Sequence, residues 1–134
     1  STNVLTAERR RLSGEVTHSY RFWTKQFFRP WREYFYSSGS KEVPETIVGW
    51  LSPLALAVWY MDDGCLLTKQ SIIFATERFG MRSLQVLQNA FSIRYGIAVT
   101  LRSNGRLYLG KGSAGAFFDI ISPYIASSMR YKLP

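Results

Sequence analysis

The stretch Leu51–Gly64, LSPLALAVWYMDDG, sets the strongest limit on how this chain can fold. Ser52 can cap a helix start, and Pro53 suits the first helical position, where no backbone N–H is needed. Leu54-Ala55-Leu56-Ala57 favours helix from there on. The uncharged run from Val48 to Met61 is too short to span a bilayer and contains Pro53, so it reads as a buried helix. The helix should run to Asp62 or Asp63, with Gly64 closing it. The rest of the chain is read around this element.

Downstream, Cys65 to Lys69 and Ile72 to Glu77 have the pattern of a hairpin. Leu84, Leu87, Phe91 and Tyr95 repeat at helical spacing over Ser83 to Tyr95, and Gly96 fits just past the end. Ile97 to Gly110 reads as a second hairpin, and Ser113 to Ser122 as a last helix, broken by Pro123 and followed by a tail ending YKLP. Upstream, Thr17 to Thr24 alternates and is aromatic-rich, as a strand would be. Lys25 to Tyr36 places Phe27, Phe28, Trp31, Tyr34 and Phe35 three and four apart, the pattern of a helix with a core-facing side. Pro30 kinks that helix or marks its true start. Ser37 to Ser40 is a loop, and Pro44 to Trp50 a short helix. The order from Pro53 onward is therefore helix, two strands, helix, two strands, helix, an α+β arrangement. Thr17 to Gly49 resembles the end of a similar unit. Residues 1–16 contain Arg9-Arg10-Arg11 and little apolar patterning, and read as a basic arm that orders only on a partner.

A chain of 134 residues suits one domain. Its 17 Lys+Arg against 9 Asp+Glu give a formal charge of +8. A basic domain points to nucleic acid, DNA or RNA, as partner, ahead of an anionic membrane surface. The single cysteine, Cys65, excludes an internal disulfide framework and a multi-cysteine zinc site. It reads as a small core residue, and His18 as an ordinary strand residue.

Tyr60-Met61-Asp62-Asp63 also resembles the aspartate pair of reverse transcriptases. A two-metal polymerase takes carboxylates from two places, and no aspartate precedes Asp62. The Ser-Pro start favours a helix over the strand turn that such enzymes use. The helical reading leaves a conflict of its own. Two carboxylates at a helix C-terminus oppose the macrodipole, at a cost of a few tenths to about 1 kcal/mol each. A divalent cation or a basic neighbour would remove it, and magnesium suits carboxylates combined with phosphate oxygens and water. An ordinary Asp-Gly turn with both carboxylates solvated fits the spacing equally well.

LSPLALAVWYMDDG resembles the second motif of LAGLIDADG homing endonucleases, in a subgroup with two motifs. SYRFWT in the first strand, Val43-Pro44, Ser122 to Ile125 (SPYI) and Ser127 to Pro134 (SSMRYKLP) resemble the same subgroup. The likeness covers about residues 16–134. It implies an αββαββα repeat with an antiparallel sheet over residues 51–134, preceded by the remnant of a first repeat over 17–50. It implies that two motif helices pack side by side, each bringing one acid to the scissile phosphates, while the sheets lie in the DNA major groove. Asp63 takes the place of the metal-binding, catalytic acid, and Asp62 a place where the family tolerates other residues. Ala55 and Ala57 would let the motif helices approach closely. One acidic motif leads us to expect a non-cleaving protein retained for RNA binding, as in an organellar splicing factor or ribonucleoprotein with other proteins. The alternative is a magnesium-dependent, site-specific double-strand DNA endonuclease, active as a homodimer or within a longer chain. Magnesium is the expected cofactor if the protein cuts, and none otherwise. A mitochondrion or chloroplast is the compartment the family suggests, and no membrane partner is expected.

The second hairpin sharpens the surface expected to meet nucleic acid. A two-residue Asn104-Gly105 turn would mix polar and apolar faces. A three-residue loop, Ser103-Asn104-Gly105, pairs Arg102 with Arg106 and gathers Ile97, Val99, Leu101, Leu107 and Leu109 on one face. Thr100, Arg102, Arg106 and Tyr108 then share the other. The clean separation favours this register, and like charges placed opposite each other invite a phosphate or a guanine. Arg21 and Trp23 share a face of the first strand, Lys25 follows, and Lys69 and Arg78 flank the first hairpin. These cations are candidates for backbone contacts. Lys132, in the tail, is expected at a helix end or on the surface rather than in an active site.

Overall fold

A computed structural model describes residues 4–21 and 28–134, which divide into two compact units, 1–33 and 34–134. In the first unit, β1 (Leu5–Arg10) pairs antiparallel with β2 (Val16–Arg21), from Leu5 opposite Arg21 to Arg10 opposite Val16. Gly14, with φ +84°, makes the turn. The Arg11 N–H donates to the Glu15 carbonyl, and their side chains pair at 3.3 Å. Residues 5–10 of the segment expected as an unordered arm thus form a strand. His18 faces Glu8 across the ladder at 3.4 Å, as an ordinary strand residue would.

Helix α1 (Arg29–Phe35) starts at Pro30's predecessor, so the proline marks a helix start rather than a kink. In the second unit, α2 (Ile47–Trp50) leads into α3 (Pro53–Asp63). Ser52 caps α3, accepting the Ala55 N–H at 3.2 Å, and Pro53 occupies the first turn. Then come β3 (Gly64–Thr68), β4 (Ser71–Phe74), α4 (Met81–Tyr95), β5 (Thr100–Leu101), β6 (Leu107–Leu109) and α5 (Lys111–Ile121). Two short 3-10 turns, Ser122–Tyr124 and Ser127–Lys132, end the chain. Gly96 closes α4 in the left-handed region, at φ +64°.

The four strands form one antiparallel sheet in the order β3-β4-β6-β5. One face of the sheet is sealed by the helices. Ile72, Phe74, Leu107 and Leu109 on that face are fully buried together with Leu56, Ala57 and Tyr60 of α3 and Phe91, Phe117 and Ile121 of α4 and α5. Rings meet edge-on in this core: Tyr60 against Phe117 at 5.6 Å and Phe74 against Phe117 at 5.7 Å between centroids. Each such pair adds about 0.5–1.5 kcal/mol beyond area burial. Thr76 ties the sheet to the second hairpin, donating to the Gly105 carbonyl at 2.8 Å and accepting the Leu107 N–H at 3.1 Å.

Candidate nucleic-acid interface and metal-binding acid

The foot of α3 is held by the chain's own tail. The Lys132 ammonium donates to the Met61 carbonyl at 2.7 Å and to the Gly64 carbonyl at 2.9 Å. The Tyr60 hydroxyl donates back to the Lys132 carbonyl at 2.6 Å. Burial pushes the Tyr60 hydroxyl up to about 12, with the nearby Cys65 thiol adding to the effect. The basic neighbour that the helix dipole calls for is therefore Lys132, which meets one carbonyl in the last turn of α3 and one just past its end. Gly64 is required at the helix end for space rather than for a left-handed backbone. Its φ is −83°, open to any residue, but a Cβ there would lie 2.1 Å from the Tyr60 ring and 2.5 Å from the Tyr60 carbonyl oxygen.

With its backbone neutralised, the helix foot leaves Asp62 and Asp63 exposed, and neither has an ion-pair partner among the described residues. Asp63 and Trp59 line a cleft of about 260 Å³ with Phe35, Lys41, Val43 and Phe79. The Lys41 ammonium lies 4.6 Å from the Phe79 ring centroid. Lys41 was missed in the sequence because it stands in a loop with no periodic partner; only its place in the cleft with Asp63 singles it out. Among the described residues no group of three or more His, Cys, Asp or Glu converges as a metal cage. Asp63 fits the other mode, in which magnesium takes one or two carboxylates plus phosphate oxygens and water.

The outer face of α3 carries Leu54 and Val58, each 54% exposed. They are one turn apart, and the stripe ends at Asp62. Ala57, expected on the helix-pairing side, is instead fully buried in this unit's own core, and Ala55 is half-buried. The surface open to a second helix is thus built on Leu54 and Val58.

The sheet's outward face starts at Asp63, whose carbonyl accepts the Ala75 N–H at 3.0 Å. Cys65 faces Ile73, Ile73 faces Tyr108 and Tyr108 faces Thr100. Cys65 is exposed in this row, not a core residue; its neighbours Gly64 and Leu66 take the inward positions. The second hairpin has the three-residue loop: the Arg102 N–H donates to the Arg106 carbonyl at 2.9 Å, Leu101 faces Leu107, and Gly105 has φ +80°. Arg102 and Arg106 therefore stand beside each other at the same end of the sheet as Asp63.

The like-charge conflict expected at this tip is resolved inside the protein. Arg106 pairs with Glu77, and the Arg102 guanidinium stacks 4.0 Å above the Tyr108 ring centroid. The Glu77 backbone N–H and then the Arg106 side chain hold the Glu77 carboxyl below the usual range. Glu77, 29 residues away in sequence, carries no local signal of this role. Lys69 is exposed at the β3–β4 turn, and Arg78 is exposed in the loop before α4. Lys69, Arg78 and Arg102 have no carboxylate partner among the described residues. Arg21, exposed at the end of β2, belongs to the other compact unit, and Trp23 and Lys25 lie outside the described residues.

Known proteins are similar to this chain in sequence and in fold. A profile of the LAGLIDADG DNA endonuclease family matches residues 1–114, so the first sixteen residues lie within the family region. The chain is 34% identical over 116 residues to the cytochrome b mRNA maturase bI2 of Debaryomyces hansenii, covering 83% of this chain and 44% of that protein. It is 35% identical over 104 residues to the DNA endonuclease I-ChuI of Chlamydomonas applanata, covering 69% and 48%. The chain thus spans less than half the length of these curated relatives. Its fold is similar to that of the homing endonuclease I-WcaI bound to its DNA recognition sequence, with a TM-score of 0.83 at 22% identity, over 98% of this chain and 64% of that one. The chain belongs to the LAGLIDADG DNA endonuclease family.

Proposed function

We propose that this chain is a nucleic-acid-binding half of a LAGLIDADG protein, which binds duplex DNA through the outward face of its sheet and on its own does not cut. Cleavage would need a second acid-bearing helix against α3. The observation that carries this reading is the exposed Leu54–Val58 stripe leading to a helix foot whose carbonyls are already held by Lys132, so that Asp62 and Asp63 are left without an ion-pair partner among the described residues. In this role Asp63 would supply one carboxylate to a magnesium ion, whose chemistry when bound would be Lewis-acid stabilisation of charge on phosphate oxygens. Lys41, in the same cleft, adds positive charge beside the phosphate.

A second reading, retention for RNA in an organellar ribonucleoprotein, is favoured by the likeness to cytochrome b mRNA maturases, which also supports a mitochondrial setting. The two separate in one experiment. The purified chain is titrated with randomised duplex DNA and with structured RNA at increasing salt, with and without magnesium. We expect salt-sensitive binding to duplex DNA, no strand cleavage by the chain alone, and binding unchanged in Asp63→Asn. Loss of binding in that variant, with an unchanged circular dichroism spectrum, would sink the reading. Tighter binding to RNA than to duplex DNA would transfer the assignment to the maturase-like alternative.

A further inference from the structure

The β3–β4 side of the sheet's outward face is poor in hydrogen-bonding groups, and the hydroxyls of Tyr108 and Thr100 lie beyond it on β6 and β5. Cys65, Ile73 and Ala75 point outward, because their neighbours Ile72 and Phe74 are fully buried on the other side. Leu67, at the irregularity in the β3–β4 ladder, is 51% exposed. The cations sit around this apolar patch rather than in it: Lys69 at the β3–β4 turn, and Arg102 and Arg106 at the tip of the second hairpin. A patch of this kind flanked by cations, of which Lys69 and Arg102 have no carboxylate partner among the described residues, fits a polyanion that carries apolar groups on its inner surface.

We propose that the Cys65–Leu67–Ile73 patch selects thymine, by contact with its C5-methyl group in the major groove, and so makes this half specific for DNA with a thymine-rich step beside the cleavage centre. The proposal rests on the nucleic-acid reading above and adds the base that it reads. In the major groove thymine alone presents a methyl, and small apolar side chains are its partners. Uracil lacks the methyl, and the A-form major groove is too deep and narrow for side chains to enter. The geometry also gives the span. Side chains on one face of a strand repeat every ~6.8 Å, about two base pairs at a rise of 3.4 Å. Cys65 and Leu67 stand two residues apart on β3, so the patch spans roughly two base pairs.

The test needs no variant. The full chain selects sites from a randomised duplex DNA library, and the recovered sites are remade with deoxyuridine in place of thymidine, which removes the methyl and keeps the base pairing. We expect an enriched thymine step, and a weakening of about fourfold for each contacted methyl that is lost. Recovered sites without a thymine preference, or equal affinity for the thymidine and deoxyuridine duplexes, would overturn this inference and leave the nucleic-acid reading standing. Failure to retain any duplex at low salt would overturn both.

Discussion

The foot of α3 and the tip of the second hairpin lie at one end of the same sheet, yet they handle charge in opposite ways. At the foot, the backbone is satisfied internally by Lys132 and the two carboxylates are left open. At the tip, the side chains themselves are engaged, Arg106 with Glu77 and Arg102 with Tyr108. A group that must meet a ligand is best left without a protein partner, because a partner has to be displaced first. On that criterion the foot suits the proposed metal and phosphate, and the tip is restrained until something competes with Glu77.

Glycines test the comparison most strongly. Gly64 at the foot is required for space and Gly105 at the tip for its positive φ. Gly64→Ala drives a methyl into the Tyr60 ring and backbone and should destabilise by about 3 kcal/mol. Gly105→Ala should cost about 1–2 kcal/mol, the price of a left-handed residue with a Cβ. Urea denaturation of the two variants checks the order, and an equal or reversed order would mean that Tyr60 can move aside.

Alkaline pH comes next. The buried Tyr60 hydroxyl titrates near 12 rather than 10. Its raised value means that the folded chain holds the proton more tightly than the unfolded chain. The corresponding stability is complete below pH 10 and lost as pH rises toward 12, amounting to roughly 2–3 kcal/mol. Tyr60→Phe should remove that limb of the stability profile. A profile parallel to the wild type would show that the hydroxyl is solvated. Lys132→Met leaves the Met61 and Gly64 carbonyls without their donor and should cost about 1–2 kcal/mol in the same denaturation assay.

What could be read from the sequence followed the range of the interactions. The caps of α3 and α4, the three-residue loop before β6 and the inward-facing leucines are local or periodic signals, and the structure has them. Thr76, Glu77 and Lys41 are different. Thr76 bonds Gly105 and Leu107 across about thirty residues, and Lys41 reaches the Asp63 cleft only through the fold. Ala57 misled for the same reason: a small residue on a motif helix looks like an approach surface until the chain's own core is seen to cover it. Cys65 misled in the other direction, because one-residue parity decides the face of a strand and composition does not.

The smallest expected effect sharpens the contrast most directly. Glu77 is a surface carboxylate paired with Arg106, and its removal should leave the unfolding midpoint almost where it was. Its pH behaviour has a definite sign. The folded value is lowered, so the pairing is present above the ordinary carboxylate range and is lost as pH falls through the lowered value. Glu77→Gln achieves the same release at neutral pH. Arg106 is then free for a phosphate, and the slope of log affinity against log salt should steepen by about 0.9, the signature of one added phosphate contact on duplex DNA. Arg106→Ala in that background should return the slope to its starting value. If the slope does not change in Glu77→Gln, Arg106 is a structural clamp for the second hairpin and the tip takes no part in binding. If it steepens and the second substitution reverses it, Glu77 sets how strongly the tip engages the backbone, while the foot of α3 stays open throughout.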